Sequence, residues 1–276
     1  LDAVQPHLAA ALEANRKGFQ GRSGRVRGFG AGSTYPQIWV RDSATLVPIT
    51  RFGYPRAYLD SWLEEILCHQ QPSGELLDWV ASGEPGHFRA DAPHVREVYR
   101  RGAVVLAGDR NTTELDQESS AVQAAYEVVR ITGDLRWLRK DVAGQPVLDR
   151  LDRALSYVWR EHRHQGTGLL ENAMTADWGD VSPSHADQRA IYLDDATPVV
   201  VGLYTNALFV RAADSLAELH DLTQATVPAA LWRGRAAEIR LAIDRDLWQA
   251  DKGFYRMQLP VAGPSDRTAT DTADIF

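Results

Sequence analysis

The sequence predicts an all-α protein built from helical hairpins, and three observations carry that expectation. Apolar residues recur at i, i+3 and i+4 through most of the 276 residues. No segment alternates apolar and polar residues over several strands. The connections between the expected helices alternate between long and short.

The elements follow in order. A first helix is expected over residues 3–18 and a second over Ser43 to Phe52. The third, "PRAYLDSWLEEILCHQ", runs from Pro55 to Gln70, with Leu59, Trp62, Leu63, Ile66 and Leu67 in register and Pro55 suited to a first turn. The fourth covers Asp116 to Ile131, where Val122, Ala125, Tyr126 and Val129 share a face and Thr113 and Asp116 fit a capping box. A short helix, "DLRWLRK", comes after Gly133. The fifth long helix spans 145–164, the sixth 197–220 and the seventh 227–248. The long connections are 19–42, 71–115 and 165–196, and the tight ones lie near Gly53 and at 221–226. Antiparallel neighbours need only short links. If every hairpin points the same way, the three long loops gather at one end of a single helical domain over residues 1–276. Seven helices do not close a symmetric ring, so a further C-terminal portion is expected.

Net charge is −7 and there is no basic run suited to nucleic acid. No apolar stretch reaches the roughly 18 residues of a membrane span. Cys68 is the single cysteine, which rules out an internal disulfide or a cysteine metal cage; its place on the apolar side of a helix predicts a buried, inert thiol. No HExxH or GxSxG occurs, and no metal or cofactor is expected. Asn111-Thr112-Thr113 is a formal glycosylation sequon. "GFGAGS" (Gly28 to Ser33) lacks the full phosphate-loop fingerprint and reads as loop. The chain starts at Leu1 with no Met and no signal peptide, which points to a trimmed or processed start, and the expected location is cytoplasmic.

The long loops carry the chemistry. The first ends in "YPQIWVRDS" (Tyr35 to Ser43), where Asp42 reads either as a helix N-cap or, beside Trp39 and Arg41, as part of a grip on ligand hydroxyls. The second holds "GELLDWV", with Trp79, and ends in "NTTELDQESS". Asp116, Gln117 and Glu118 there either favour the helix dipole or point into a cleft. The third contains "MTADWGDVSP" (Met174 to Pro183). Glycoside hydrolysis needs a carboxylic acid to protonate the leaving oxygen and a second carboxylate on the other face of the sugar. Asp177 and Asp180 stand too close in sequence to be that opposed pair. One of them serves as acid, with Trp178 beside it raising its pKa by desolvation, or the stretch is a turn before the sixth helix.

Together these motifs resemble the six-hairpin glycosidases, the (α/α)6-barrel superfamily, whose sugar site lies at the end bearing the loops after the odd-numbered helices. "WVRD" (Trp39 to Asp42) is similar to the Trp-x-Arg-Asp of its first such loop. "DWGD" (Asp177 to Asp180) resembles the Asp-Trp-Asn-Asp of cellobiose-type phosphorylases and the Trp-x-Asp of amylo-1,6-glucosidase, which carries the general acid over to Asp180. Neutral invertases would favour Asp177 instead, and glucoamylases place their acid where this chain has Gly179. The resemblance implies an (α/α)6 toroid, incomplete at its C-terminus, and an inverting glycoside hydrolase acting on an α-glucoside. Asp180 would be the acid and a base would come from beyond Phe276. Trp39, Arg41, Asp42, Asp116, Gln117, Glu118 and Trp178 would bind substrate, with Trp79 and Tyr255 at the rim. The implied partner is a carbohydrate, with neither nucleic acid nor membrane. A glycoside phosphorylase, a non-catalytic sugar-binding toroid, and a histidine-based isomerase using His185 stand as alternatives.

Overall fold

The computed structural model describes residues 5–83, 96–174, 193 and 197–262. The chain divides into two compact units, Leu1–Arg110 with Gln123–Leu151, and Asn111–Val122 with Asp152–Phe276. In chain order the first holds α1 (Gln5–Ala14), β1 (Arg16–Gln20), β2 (Arg25–Phe29), β3 (Ile38–Trp39), α2 (Val40–Thr50), α3 (Ala57–Cys68), β4 (Trp79–Ser82), β5 (Arg96–Arg101) and β6 (Val104–Asp109). Next come α4 (Gln117–Thr132), a 3-10 helix (Leu135–Arg139), β7 (Asp141–Val142), β8 (Gln145–Pro146) and α5 (Val147–Glu161). The second unit continues through β9 (Glu171–Ala173), β10 (Val199–Gly202), α6 (Leu203–Leu222), α7 (Thr226–Asp246), β11 (Trp248–Gln249), β12 (Phe254–Tyr255) and β13 (Gln258–Ala262).

Every helix expected from periodicity is present, most within a few residues of the predicted bounds. The exceptions are α1, which stops at Ala14, and α6, which starts at Leu203 because β10 occupies the residues before it. The strictly all-α expectation needs correction. Thirteen short strands accompany the helices among the described residues. The end of the expected first helix is β1, paired antiparallel with β2. The loop expected over 71–115 carries β4, β5 and β6, which join β3 in a four-stranded sheet of order β3-β4-β6-β5. Strands of two to six residues are too short to display a period of two, and β6 is almost wholly buried, so both of its faces are apolar.

In the first unit α3 is the centre of the core. Trp62, Leu63, Ile66 and Leu67 are fully buried. A Cβ at Gly28 of β2 would stand 3.3 Å from Trp62 and 3.1 Å from Ile38, so the "GFGAGS" run begins as packed strand. Three carboxylates on α3 are buried, and each has partners. Asp60 takes the Arg56 guanidinium at 2.8 Å. Glu64 accepts from the Trp137 indole at 2.8 Å and from Lys140 at 2.7 Å. Glu65 accepts from the backbone N–H groups of Arg22 and Ser23 at 3.0 and 2.7 Å, the Ser23 hydroxyl at 2.6 Å, and the His69 ring at 2.8 Å. It thus fastens the β1–β2 turn onto the helix. Burial pushes the Glu65 pKa up, but the hydrogen bonds from His69, Ser23 and Arg22 outweigh it and hold the carboxyl below its ordinary value. Cys68 is buried, and burial drives its thiol pKa up to about 11, as expected of an inert cysteine.

Helix ends follow local chemistry. Gly133, at φ 65°, terminates α4 and donates to the Val129 carbonyl at 2.8 Å. Asp134 then caps the 3-10 helix by accepting from Arg136 N–H. The expected Thr113–Asp116 capping box does not form as such, because the Thr113 hydroxyl bonds Asn111 Oδ1 at 2.7 Å and α4 begins at Gln117.

In the second unit α6 and α7 form an antiparallel hairpin packed through Phe209 and Trp232. Phe209 stacks on Trp159 of α5 at 5.9 Å between centroids. Asp152 receives the Trp232 indole N–H at 2.7 Å and pairs with His220 at 2.7 Å, joining α5, α6 and α7. Asn206, fully buried, accepts from Leu170 N–H and donates to the carbonyls of Leu170 and Gly202. This bond set ties α6 to the approach to β9 and to β10. The sheet order is β13-β10-β9. No described helix is long and apolar enough to cross a membrane.

Candidate active site

The second unit contains a polar concavity lined by Glu114, Asp116, Asn172, Tyr204, Thr205 and Gln258, among others. Its enclosed volume of about 10 Å3 has room for one water or one hydroxyl group. Each wall has a local cause. Asn111 Oδ1 accepts from the N–H and hydroxyl of Thr113 at 3.0 and 2.7 Å, an Asx-type turn that bends the chain into α4 and sets Glu114 and Asp116. β9 and β10 pair with Asn172 opposite Val200, and β10 runs directly into α6 through Gly202. The first turn of α6 therefore delivers Tyr204 and Thr205 beside Asn172. Gln258 comes from β13, which pairs with the other edge of β10.

Asp116 is 1% exposed and accepts the Tyr204 hydroxyl at 3.0 Å on Oδ2. Asn172 donates to the Ala173 carbonyl at 3.0 Å, and its Oδ1 lies 3.5 Å from the Thr205 hydroxyl. Two carboxylates, two hydroxyls and two amides around a hydroxyl-sized space form a set of donors and acceptors fit to orient a sugar hydroxyl. Among the described residues no group of His, Cys, Asp and Glu is placed to hold a metal ion.

The sequence candidates fall in different places. Asp116 lines the concavity. Gln117 and Glu118 follow it in α4 with no exposed surface; the Gln117 amide reaches the Asn111 carbonyl at 3.5 Å, and its Oε1 has no partner among the described residues. In the first unit Trp39 and Trp79 are cross-strand partners in β3 and β4. Tyr35 stands edge-on to Trp39 at 5.4 Å, and Trp39 in turn packs against the buried Trp79, Ala81 and Ala107. Asp42 is not an N-cap: α2 begins at Val40, whose N–H is bound by the Asp78 carbonyl at 2.9 Å, and Asp42 lies within the first turn with the buried Arg41 before it. Tyr255 is half exposed on β12, bonds Asp244 at 2.6 Å, and is absent from the concavity's lining. Asn111 of the sequon is buried, which makes it a poor glycosylation acceptor. Asp177, Trp178, Asp180 and His185 lie outside the described residues. Sequence reasoning missed Glu114, Asn172, Tyr204, Thr205 and Gln258. Asn172 had one visible signal, its position two residues before Met174.

The profile of the mannosylglycerate hydrolase MGH1-like glycoside hydrolase domain matches residues 35–272. No curated protein matches by sequence. Among solved structures, a GH63 mannosylglycerate hydrolase from Thermus thermophilus in complex with glucose is similar at 18% identity and a TM-score of 0.57, over 93% of this chain and 66% of that one. An uncharacterized conserved protein from Thermus thermophilus is similar at 17% identity and a TM-score of 0.55, again over 93% and 66%. A rhamnosidase from Klebsiella oxytoca with rhamnose bound is similar at 12% identity and a TM-score of 0.53, over 85% of this chain and 36% of that one. The chain thus spans just under two thirds of the mannosylglycerate hydrolase's length and little more than a third of the rhamnosidase's. At such identities the likeness establishes the fold. The sequence match establishes more: this chain belongs to the mannosylglycerate hydrolase MGH1-like glycoside hydrolase domain family, within the six-hairpin glycosidase superfamily.

Proposed function

We propose that this protein is an inverting glycoside hydrolase for an α-glucoside or a related small glycoside, with Asp180 as general acid and Asp177 shaping the same loop. Asp180 donates its proton to the glycosidic oxygen as the bond to the anomeric carbon breaks. Water, activated by a second carboxylate, attacks the opposite face. In such pairs the carboxyl groups stand roughly 6.5–9.5 Å apart, which leaves room for the water. Asp116, oriented by Tyr204, accepts a hydrogen bond from a sugar hydroxyl. Gln117 and Glu118, which follow Asp116 in α4, support it from behind, and Trp178 flanks the acid.

The observation that carries this reading is the hydroxyl-sized polar concavity around Asp116. Two of its walls, β9 and β10, are the strands between which the chain runs through Asp177-Trp178-Gly179-Asp180. The name of the Thermus enzyme nominates mannosylglycerate as the first substrate to assay, beside α-glucosides. Proton NMR of the reaction would detect the anomer released first. The expected result is a free sugar of inverted configuration, formed at a rate independent of added phosphate. A retained anomer would contradict the mechanism, and a sugar 1-phosphate formed only with phosphate would replace hydrolysis with phosphorolysis.

A further inference from the structure

The β1–β2 hairpin carries a second feature, unrelated to the concavity around Asp116. A groove of about 370 Å3 is lined by Arg16, Lys17, Gly18, Arg25, Arg27 and Tyr58. Four cations in one groove are unexpected in a chain of net charge −7. No carboxylate is part of this lining among the described residues. The strand register explains the three arginines, since Arg16, Arg25 and Arg27 share one face of the hairpin, whereas Lys17, opposite Gly28, enters from the other. Gly18 pairs with Arg27, and Gln20 with Arg25, so Arg25 and Arg27 project from one face over a position that has no side chain. A Cβ at Gly18 would meet only the Val26 carbonyl, at 3.5 Å, so the floor is open.

The groove's fixed and free groups differ. Arg16 is held by Glu13 at 2.7 Å and by the Tyr58 hydroxyl at 2.7 Å. Glu13 is also taken up by the Tyr54 hydroxyl at 2.8 Å. Lys17 reaches the Ser33 carbonyl at 3.4 Å. The acids that line a neighbouring cavity with Arg25 are likewise engaged: Asp60 and Asp134 bind Arg56, and Glu64 binds Lys140. The guanidinium groups of Arg25 and Arg27 make no hydrogen bond or ion pair among the described residues; Arg27 lies 5.7 Å from the Tyr58 ring centroid. Two residues apart on one strand, their Cα atoms are about 6.5 Å from each other. That spacing lets two guanidinium forks close on one tetrahedral oxyanion, with Arg16 held in place beside them.

We propose that this groove is a binding site for a phosphoryl group, carried by inorganic phosphate, pyrophosphate or a phosphorylated sugar. The anion removes the repulsion among Arg16, Arg25 and Arg27 and accepts the donors that the fold leaves unused. Calorimetric titration at low ionic strength with inorganic phosphate, pyrophosphate, glucose 6-phosphate and glucose tests it. Saturable binding of the phosphorylated probes, and none of glucose, is expected. Equal affinity for phosphate and glucose 6-phosphate would make the free anion the ligand, and tighter glucose 6-phosphate would make it the phosphorylated sugar. Arg25→Gln/Arg27→Gln should weaken binding by about tenfold or more, and Arg25→Lys/Arg27→Lys by less, because the charge stays while the forks are lost. Arg25→Gln alone, at an exposed position, carries the same test should the double variant fail to fold. Absence of binding by all three phosphorylated probes, or binding unchanged in the folded Gln variants, would overturn the proposal.

Discussion

Asp116 is a buried carboxylate with a hydroxyl donor on one oxygen and a space the size of a hydroxyl group beside it. If it holds a sugar hydroxyl, Asp116→Asn should lower kcat/KM by about 10- to 100-fold, the worth of one hydrogen bond to a charged group. Tyr204→Phe, which removes only the orienting donor, should cost less. Steady-state kinetics with a thermal unfolding control checks both, and kcat/KM unchanged in Asp116→Asn would remove this residue from the site. Glu65 makes a different residue-scale prediction. Its folded pKa lies below the ordinary 4.5, so its stabilisation is complete above that value and is lost as pH falls through the folded pKa. Melting temperature should therefore drop on acidification below about pH 4.5. Glu65→Gln should flatten that drop and destabilise the fold by about 3 kcal/mol at neutral pH, because one of the two acceptor oxygens becomes an NH2 donor facing donors and the charge that strengthens the remaining bonds is lost. An acid profile identical in both proteins would show that Glu65 does not fasten the hairpin.

At the scale of elements, α6 ends in a complete Schellman motif: Gln224 N–H donates to Asp221 and Ala225 N–H to His220, at 2.9 and 2.8 Å. Gln224 occupies the left-handed position, φ 64°, that glycine fills without strain. Gln224→Gly should stabilise the protein by about 0.5–1 kcal/mol, read as a rise in denaturation midpoint, and a fall would contradict the reading of the cap. The same scale shows what a sequence can reveal. The helices were legible because each buries one face, and a 3.6-residue period survives over ten or more positions, as in α5 with Val147, Leu151, Leu155 and Val158. The strands were not, because β3, β9 and β10 are only two to four residues long. Their order is set by pairing with distant segments. The apparent cap at Asp42 failed for a related reason. Asp78 binds the N–H of Val40, so α2 starts three residues before Ser43. Of the concavity, Asp116 was legible as an acid at a helix start. Asn172, Tyr204 and Gln258 were not, because ordinary polar residues become a site only when β9, β10 and β13 bring them together.

For the whole molecule, family membership and fold agree on a glycoside hydrolase domain, and the proposed acid is Asp180. In sequence, Asp177 and Asp180 stand between β9 and β10, two walls of the concavity that holds Asp116. The most direct measurement compares hydrolysis by Asp180→Asn and Asp177→Asn with that of the parent protein, while calorimetry follows sugar binding by each. Loss of the general acid should cut kcat of Asp180→Asn by about 10²–10⁴-fold with affinity nearly unchanged, and Asp177→Asn should retain most of the activity. Full activity in Asp180→Asn, or the large loss falling on Asp177→Asn instead, would contradict the assignment.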